Sequence, residues 1–375
     1  MFPCLLFLYI LTNTEAKCDL LQIALIQQCV GKSGRIVLVG DRCQAIYAWR
    51  NAQPDLVWKI AHGRDCHVQT LSTCFRCSHA VVQASQLIMP IPEVRIHAQA
   101  AAPVGNVCAI WLEHIQCASP MHVRTALTSA ERPVMIIARR WKALFPLITM
   151  CAQNKIPVRI TAQTNTCDWV TNAIARCEHG ADYANTNIHQ LIRAARATED
   201  GCNVNANPDE GADIPADVQN DILAILVQTY AKALGCVSQQ TFLDEMQCMY
   251  KQPGPVFGSV HAVKGGECHN VWLVGAEMMP AWPNEERNIL YVAFTRARVN
   301  LTLVCAKDNA VSAHDRCQLF IADSQGMQIR SFNDDSEQWV YHREQQLHGA
   351  PIVDGSAHAL ARFVSFDRMI QLTLV

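Results

Sequence analysis

The sequence contains little charge and no excess of either sign. Charged residues make up 17% of its 375 residues, and the formal net charge is −2. Proteins that bind nucleic acids through much of their surface carry a strong positive field, which this composition does not provide. Any nucleic-acid contact must therefore come from a local cationic surface, and binding without sequence preference should be weak. The length allows two or three domains with ample core.

Long hydrophobic runs are also missing. The opening segment, residues 1–12, is apolar. A signal peptide has a Lys or Arg before its apolar run, and this segment has none. It is too short to span a bilayer and fits a buried strand. No other segment is a candidate membrane span. We therefore expect a soluble cytoplasmic or nuclear protein without a membrane partner.

The 18 cysteines show no repeated spacing that would indicate a disulfide framework. We expect reduced thiols. Cys74 and Cys77 form a CxxC with Cys66 and His67 just upstream, but a zinc site needs a second such pair, and the sequence has none. Arg76 between the two cysteines would repel a cation. No bound metal is predicted. A small metalloprotein built on Cys66, His67, Cys74 and Cys77 ranks last among the alternatives.

Apolar segments of strand and helix type alternate along most of the chain. Residues 36–39 form a β-branched-rich run that is typical of a buried parallel strand. Similar strands separated by helical patterns follow, up to about residue 306. Residues 155–255 are predicted to be mostly helical, with a polar loop among them. The pattern predicts an α/β protein with a parallel sheet and a helical insertion.

The most informative segment is "RIVLVGDRCQAIYAWRNA", residues 35–52, in which a strand runs into polar, aromatic and cationic side chains. Gln44, Tyr47, Trp49 and Arg50 supply a carboxamide, two aromatic rings and a guanidinium within seven residues. Such a set can contact a phosphate and a stacked base together. The alternative is a strand followed by an amphipathic helix, with both aromatic residues in the core.

That segment resembles motif III of the UvrD/Rep-like superfamily 1 DNA helicases. Three further segments are similar to motifs IV, V and VI of that family, in the same order: "LSTCFRCSHAVVQAS", "VHAVKGGECHNVWLV" and "EERNILYVAFTRAR". The resemblance implies a RecA-like, P-loop-NTPase-type parallel sheet, which is helicase domain 2A, with a helical insertion and a remnant of domain 1A. It also implies that the full machine couples ATP hydrolysis to 3′ to 5′ translocation on single-stranded DNA and to duplex unwinding.

The same resemblance predicts the domain boundaries. The predicted parts are 1–60 for the remnant of domain 1A, 61–154 for the first part of domain 2A, 155–255 for an insertion similar to subdomain 2B, 256–310 for the second part of domain 2A, and 311–375 for an unassigned C-terminal extension. The insertion is short for the family, so the resemblance does not predict its shape.

The resemblance places six residues beside ATP. Arg76 and Arg296 match the arginines of motifs IV and VI that meet the γ-phosphate, where a guanidinium stabilises the charge on the transferring phosphoryl group. Gln44 matches the motif III glutamine that senses the same phosphate. Three residues match nucleotide contacts: Phe75 replaces a tyrosine that stacks on adenine, Glu267 matches the acceptor of a ribose hydroxyl, and Gly265 belongs to the same motif V loop. The alternative for Arg76 is a surface arginine at a helix start, and for Arg296 it is a salt bridge on a helix face. Gln44 could instead be a helix-capping amide, and Glu267 a solvated loop carboxylate.

The resemblance also places Tyr47, Trp49 and His261 on the single-strand track. Trp49 is the main candidate for base stacking, with core packing as its alternative. Arg50 and Lys264 are cations of the same two motifs and complete the predicted set of DNA contacts.

Two parts of the family pattern are absent from the sequence. Superfamily 1 helicases need a GxxxxGK[ST] loop for the phosphates and an Asp-Glu pair for magnesium and the attacking water. Residues 30–33, "VGKS", lack the first glycine of such a loop, and the acidic pair would fall within residues 13–15, where no Asp precedes a Glu. ATP and Mg²⁺ would therefore need a complementary N-terminal half carrying the loop. The main alternative is a noncatalytic module that binds single-stranded DNA or another protein.

Overall fold

The computed structural model describes residues 7–10, 24–25, 28, 35–47, 67–88, 96–161, 163, 165–175, 214–235, 239–276, 284–305, 320–323, 326–333 and 338–341. Its strands are β1 (Phe7–Ile10), β2 (Arg35–Leu38), β3 (Thr73–Cys74), β4 (His97–Ala98), β5 (Asn106–Trp111), β6 (Val134–Ala138), β7 (Arg159–Ile160), β8 (Val256–Ser259), β9 (Cys268–Val274), β10 (Ala297–Cys305), β11 (Phe320–Asp323), β12 (Gly326–Asn333) and β13 (Gln338–Tyr341). Its α-helices are α1 (His79–Ile88), α2 (Leu112–Gln116), α3 (Pro120–Leu127), α4 (Phe145–Gln153), α5 (Thr166–Ala175), α6 (Ala216–Leu234), α7 (Gln239–Met249) and α8 (Asn284–Phe294).

Six parallel strands form the central sheet, in the order β5-β10-β9-β6-β8-β7. Successive residues of a strand point to opposite faces. Ile136 and Trp272 accordingly pack into one core, and their neighbours Ile137 and Leu273 pack into the other. Because both faces are covered, these strands are continuous apolar runs. The predicted RecA-like α/β sheet is confirmed.

Helices α3 to α7 contribute to the core on one face of the sheet, and α1 and α8 contribute to the core on the other. Helix α6 shows how the sequence specifies this layer, because its buried residues recur at helical spacing. It ends at Gly235, whose φ of 67° allows the left-handed turn that caps the helix. The buried residues of this helix include Val218, Ile222, Leu223, Leu226, Val227 and Tyr230.

Two predicted elements differ in detail from the structure. The sequence pattern predicts a helix that begins at Trp141. In the structure this segment begins as a 3-10 turn, Trp141–Leu144, and α4 starts after it with Pro146 in its first turn. Proline is tolerated there because the first backbone N–H groups of a helix have no helical partner. The strand predicted at residues 36–39 is Arg35–Leu38, and it pairs in parallel with β1 in the opening segment.

Other predicted segments are described only in part. The sequence pattern predicts a helix between β1 and β2, and the structure describes residues 24, 25 and 28 there as helical. The polar loop of the insertion lies mostly outside the described residues. Strands β11 to β13 form an antiparallel sheet that the sequence did not predict. In the described part of the chain, every helix is too short or too polar to cross a membrane. The predicted domain boundaries stay predictions.

Candidate functional site

The first group of predicted residues lies at the amino ends of β9 and β10. Glu267 directly precedes β9, and its carboxylate pairs with Arg76, with 2.7 Å between Nε and Oε2. Arg298 at the start of β10 lies farther away, with 3.6 Å between Nε and Oε1. The side chains of Arg76 and Glu267 are 40% and 38% exposed. An exposed pair adds little to stability, so both groups are available to a ligand.

Arg296, the second arginine predicted to face phosphate, is buried. It is 1% exposed. Its Nε donates to the Val292 carbonyl at 2.9 Å, its Nη1 to the Gly266 carbonyl at 2.9 Å, and its Nη2 to Thr295 Oγ1 at 3.3 Å. Burial lowers the pKa of this guanidinium, and the nearby charge of Arg76 lowers it further. The structure thus brings the two arginines together but leaves Arg76 as the exposed one.

The chain around Arg76 is anchored on the first residues of β10. The Ser78 backbone N–H donates to the Arg298 carbonyl at 2.8 Å, and Ser78 Oγ donates to the Val299 carbonyl at 2.8 Å. Gly105 approaches so closely that a Cβ there would lie 2.1 Å from Ser78 Oγ, and its φ of 69° also favours glycine. These contacts join segments 221 positions apart in the chain.

Phe75 and Gly265 are both open to solvent beside this group. Phe75 is 76% exposed, as an aromatic ring that stacks on a base must be. Gly265 has a φ of 93°, and a Cβ added there would meet nothing within 4 Å, so its backbone turn, rather than crowding, requires glycine. The next residue, Gly266, accepts the hydrogen bond from Arg296, which links the shape of this loop to the buried guanidinium.

Residues 41–47, here called the docking segment, lie against α8. Ile46 is fully buried. The Gln44 carbonyl accepts from Lys264 Nζ at 2.6 Å, and the Ala45 carbonyl accepts from Asn288 Nδ2 at 2.8 Å. The Gln44 side chain donates to Asp41 Oδ2 at 2.7 Å within the same turn. The same carboxylate also accepts from the Cys43 backbone N–H at 3.0 Å.

The second group of predicted residues lies where β8 ends. His261 follows that strand, and its ring meets the Tyr47 ring edge-on, with 6.0 Å between the centroids. Lys264 Nζ lies 4.9 Å from the Tyr47 centroid, a cation–π contact. Tyr47 is only 6% exposed. A stacking platform needs an open face, so the structure favours the core alternative for Tyr47 over a place on the single-strand track.

Arg139 follows the neighbouring strand β6 and pairs with Glu286 in the first turn of α8. Its Nη2 lies 2.7 Å from Oε1, and its Nε lies 3.0 Å from both carboxylate oxygens. Burial lowers the pKa of His261, and the charge of Arg139 lowers it further. Both effects favour the neutral form of the imidazole. Lys264 and Arg139 supply positive charge at this end of the sheet.

The predicted residues that the structure describes thus fall at two ends of one sheet, and the docking segment carries Gln44 and Tyr47 to the second group. Trp49, Arg50 and Cys66 lie outside the described residues. The described residues contain no group of three or more His, Cys, Asp or Glu side chains that could hold a metal ion. Sequence reasoning missed three polar residues that complete the site: Arg139, Glu286 and Asn288. The available signal was position, since Arg139 follows an apolar strand and the two α8 residues belong to the motif VI segment.

Two family models match the chain. Residues 17–63 match the UvrD/REP helicase N-terminal domain, and residues 256–304 match the UvrD-like helicase C-terminal domain. The first match contains Gln44, and the second contains His261, Glu267 and Arg296. No curated protein matches the chain.

Proposed function

We propose that the chain, which matches two family models of UvrD/Rep-like helicases, supplies the C-terminal part of an ATP-dependent 3′ to 5′ DNA helicase. In this role it contributes one wall of the nucleotide cleft and part of the single-strand track. The GxxxxGK[ST] loop and the acidic pair, which the sequence lacks, come from a complementary N-terminal half. ATP with Mg²⁺ and single-stranded DNA are the expected ligands of the assembled helicase.

The observation that carries this proposal is the group at the amino ends of β9 and β10. Arg76 and Glu267 are partly exposed, and their charges act on the buried Arg296. Phe75 precedes Arg76 in the chain and is largely exposed. A guanidinium, an open aromatic ring and a carboxylate suit a phosphate, a base and a ribose hydroxyl, respectively. ATP bound there would supply the phosphoryl group whose hydrolysis drives translocation, and Arg76 would neutralise part of its charge.

The test is ATP hydrolysis by the purified chain, alone and mixed with the N-terminal half of a UvrD/Rep-like helicase that carries a GxxxxGK[ST] loop. We expect no hydrolysis by the chain alone, with or without single-stranded DNA. The mixture should hydrolyse ATP in a DNA-dependent way. Arg76→Ala should lower the rate of the mixture by about 10³-fold or more, as expected for an arginine finger. Arg298→Ala is the matched control and should leave most of the rate.

Hydrolysis by the chain alone would contradict the need for a second half if it survives repurification and is lost in Arg76→Ala. Size-exclusion chromatography must be run on the same mixture. A stable complex that binds single-stranded DNA but does not hydrolyse ATP would favour the noncatalytic alternative.

One observation favours that alternative, a noncatalytic module that binds single-stranded DNA or another protein. Arg296 donates three hydrogen bonds to its own chain, and Tyr47 is in the core. Both residues therefore have structural roles that would preserve them without catalysis. Under this alternative Arg76→Ala would change neither DNA binding nor assembly.

A further inference from the structure

Two free thiols face each other beside the candidate nucleotide site. Cys74 ends β3, and Cys77 lies just before α1. The Cys77 backbone N–H donates to Cys74 Sγ at 3.4 Å, which places the Cys74 sulfur at the turn that enters the helix. The Cys77 thiol donates to the Thr295 carbonyl at 3.8 Å. The two sulfurs are thus held on one turn, next to the contact between motif IV and motif VI.

The two thiols differ in access to solvent. Cys74 is partly exposed, whereas Cys77 is 2% exposed. In dithiol sites the accessible cysteine attacks an external disulfide, and the buried cysteine then resolves the mixed disulfide. Other cysteines in the described core, such as Cys108 and Cys151, are buried on sheet or helix faces without this arrangement.

The local charges also distinguish the two thiols. The contact with the Cys77 thiol, the backbone N–H groups and the positive charge of Arg76 lower the pKa of Cys74 to about 5, against the opposing effect of burial. The same thiol contact, together with burial, raises the pKa of Cys77. Cys74 is therefore the thiolate at pH 7, and Cys77 retains its proton.

We propose that Cys74 and Cys77 form a redox site that is oxidised reversibly to an intramolecular disulfide by a small disulfide such as oxidised glutathione. The Cys74 thiolate attacks one sulfur of glutathione disulfide, its S–S bond breaks, and one glutathione thiolate leaves. Cys77 then loses its proton and attacks Cys74 Sγ, which expels the second glutathione. Two protein thiols and one glutathione disulfide give one protein disulfide and two glutathione thiols, so two electrons pass from the protein to glutathione.

The position of the pair gives this reaction a consequence. Phe75 and Arg76 lie between the two cysteines, so the disulfide closes a ring that contains both residues. Their backbone loses freedom, and the Arg76 to Glu267 ion pair must adapt to the closed ring. The effect on nucleotide contact rests on the proposed function, whereas formation of the disulfide does not.

The test uses the full chain with Cys66→Ser, equilibrated with reduced and oxidised glutathione, then acid-quenched, alkylated and digested with trypsin. Trypsin cleaves after Arg64, Arg76 and Arg95, so Cys74 and Cys77 fall on separate peptides, 65–76 and 77–95. A disulfide keeps the two peptides linked in the mass spectrum. We expect the linked pair to appear as oxidised glutathione increases and to vanish on treatment with dithiothreitol.

Cys74→Ser should abolish the linked pair and is the preferred variant, because Cys74 is partly exposed and its loss should be tolerated. Cys77→Ser should abolish it too and should leave glutathione attached to Cys74. Cys117→Ser, at an exposed cysteine elsewhere, is the matched control and should leave the linked pair unchanged. The proposal is overturned if folded protein in excess oxidised glutathione carries only a glutathione adduct at Cys74. It is also overturned if the linkage joins Cys43, on peptide 43–50, instead of the pair.

Discussion

The Arg296 guanidinium is a structural centre as well as a candidate phosphate contact. Its replacement by methionine keeps the apolar stem but leaves the Gly266 and Val292 carbonyls without this donor. Hydrogen bonds that involve a charged group each contribute about 1.5–3 kcal/mol, so Arg296→Met should lower the free energy of unfolding by at least about 1.5 kcal/mol. The measurement is urea unfolding followed by circular dichroism.

Arg298→Met is the control for this prediction, because its side chain is 59% exposed and it has the same chemistry two residues away. We expect it to change stability by less than about 0.5 kcal/mol, as surface substitutions usually do. Equal stability of Arg296→Met and the wild type would mean that the buried guanidinium is not a structural requirement.

The reactivity of Cys74 should depend on pH in a way that follows its lowered pKa. Because the pKa is about 5, the thiolate is already formed at pH 6, and the rate of alkylation should change little between pH 6 and pH 8. The rate should fall only as pH drops through about 5. Iodoacetamide labelling followed by peptide mass spectrometry measures this rate. A steep rise in Cys74 labelling from pH 7 to pH 9 would show that the thiol is protonated at neutral pH.

The docking segment is an element whose attachment can be measured by itself. Asn288 on α8 is 8% exposed and donates to the Ala45 carbonyl, so Asn288→Ala leaves a buried acceptor unpaired. A cost of about 1–3 kcal/mol would raise the open population of the segment by about 5- to 150-fold. Cys43 in this segment is 3% exposed, so its alkylation rate reports opening and should rise by a similar factor.

Two controls separate local opening from global unfolding in that experiment. Cys151 is fully buried in the core on the other face of the sheet, and its labelling should stay unchanged. Gln240→Ala removes an exposed carboxamide on α7 that donates to Asp244 one helical turn away, and it should leave Cys43 labelling at the wild-type rate. Parallel increases at Cys43 and Cys151 would mean that the whole domain has been destabilised.

Elements of the central sheet could be predicted because their patterns are long and apolar on both faces. The apolar pattern of residues 270–276 predicted a strand where β9 lies, and the helical pattern of residues 286–297 predicted α8. The switch from 3-10 turn to α-helix at residues 144–145 could not be predicted, since it depends on how Phe145 and its neighbours pack. Strands β11 to β13 were missed because their residues alternate weakly, and in the described part of the chain they pair with one another.

The sequence could predict which residues belong to the candidate site but not which of them are buried. Ordered motifs identified Arg76, Glu267 and Arg296, yet burial of an arginine is rare enough that no pattern anticipates it. Whether Tyr47 is a DNA contact or a core residue likewise depends on the docking segment meeting α8, which is a contact between distant parts of the chain. Motifs predict which side chains are near a ligand, and packing decides which of them are exposed to it.

The near-zero net charge of the chain limits how it can bind single-stranded DNA. With a net charge of −2, few phosphates can be neutralised, so stacking must carry much of the affinity. Tyr47 is buried, which leaves Trp49 as the main stacking candidate of that segment. Each stacked base contributes about 1–3 kcal/mol, and Trp49→Ala should therefore weaken binding about tenfold or more.

Fluorescence anisotropy with one labelled oligonucleotide at low salt measures this loss, and affinity should fall further as salt is added. Phe75→Ala is the matched control, since it removes an exposed aromatic ring at the end of the sheet opposite to Tyr47 and His261 and should leave DNA affinity unchanged. Circular dichroism and urea unfolding of Trp49→Ala complete the comparison. Unchanged affinity in a folded variant places Trp49 off the track. A stability loss of about 3–5 kcal/mol, typical of a buried tryptophan, would favour the core alternative.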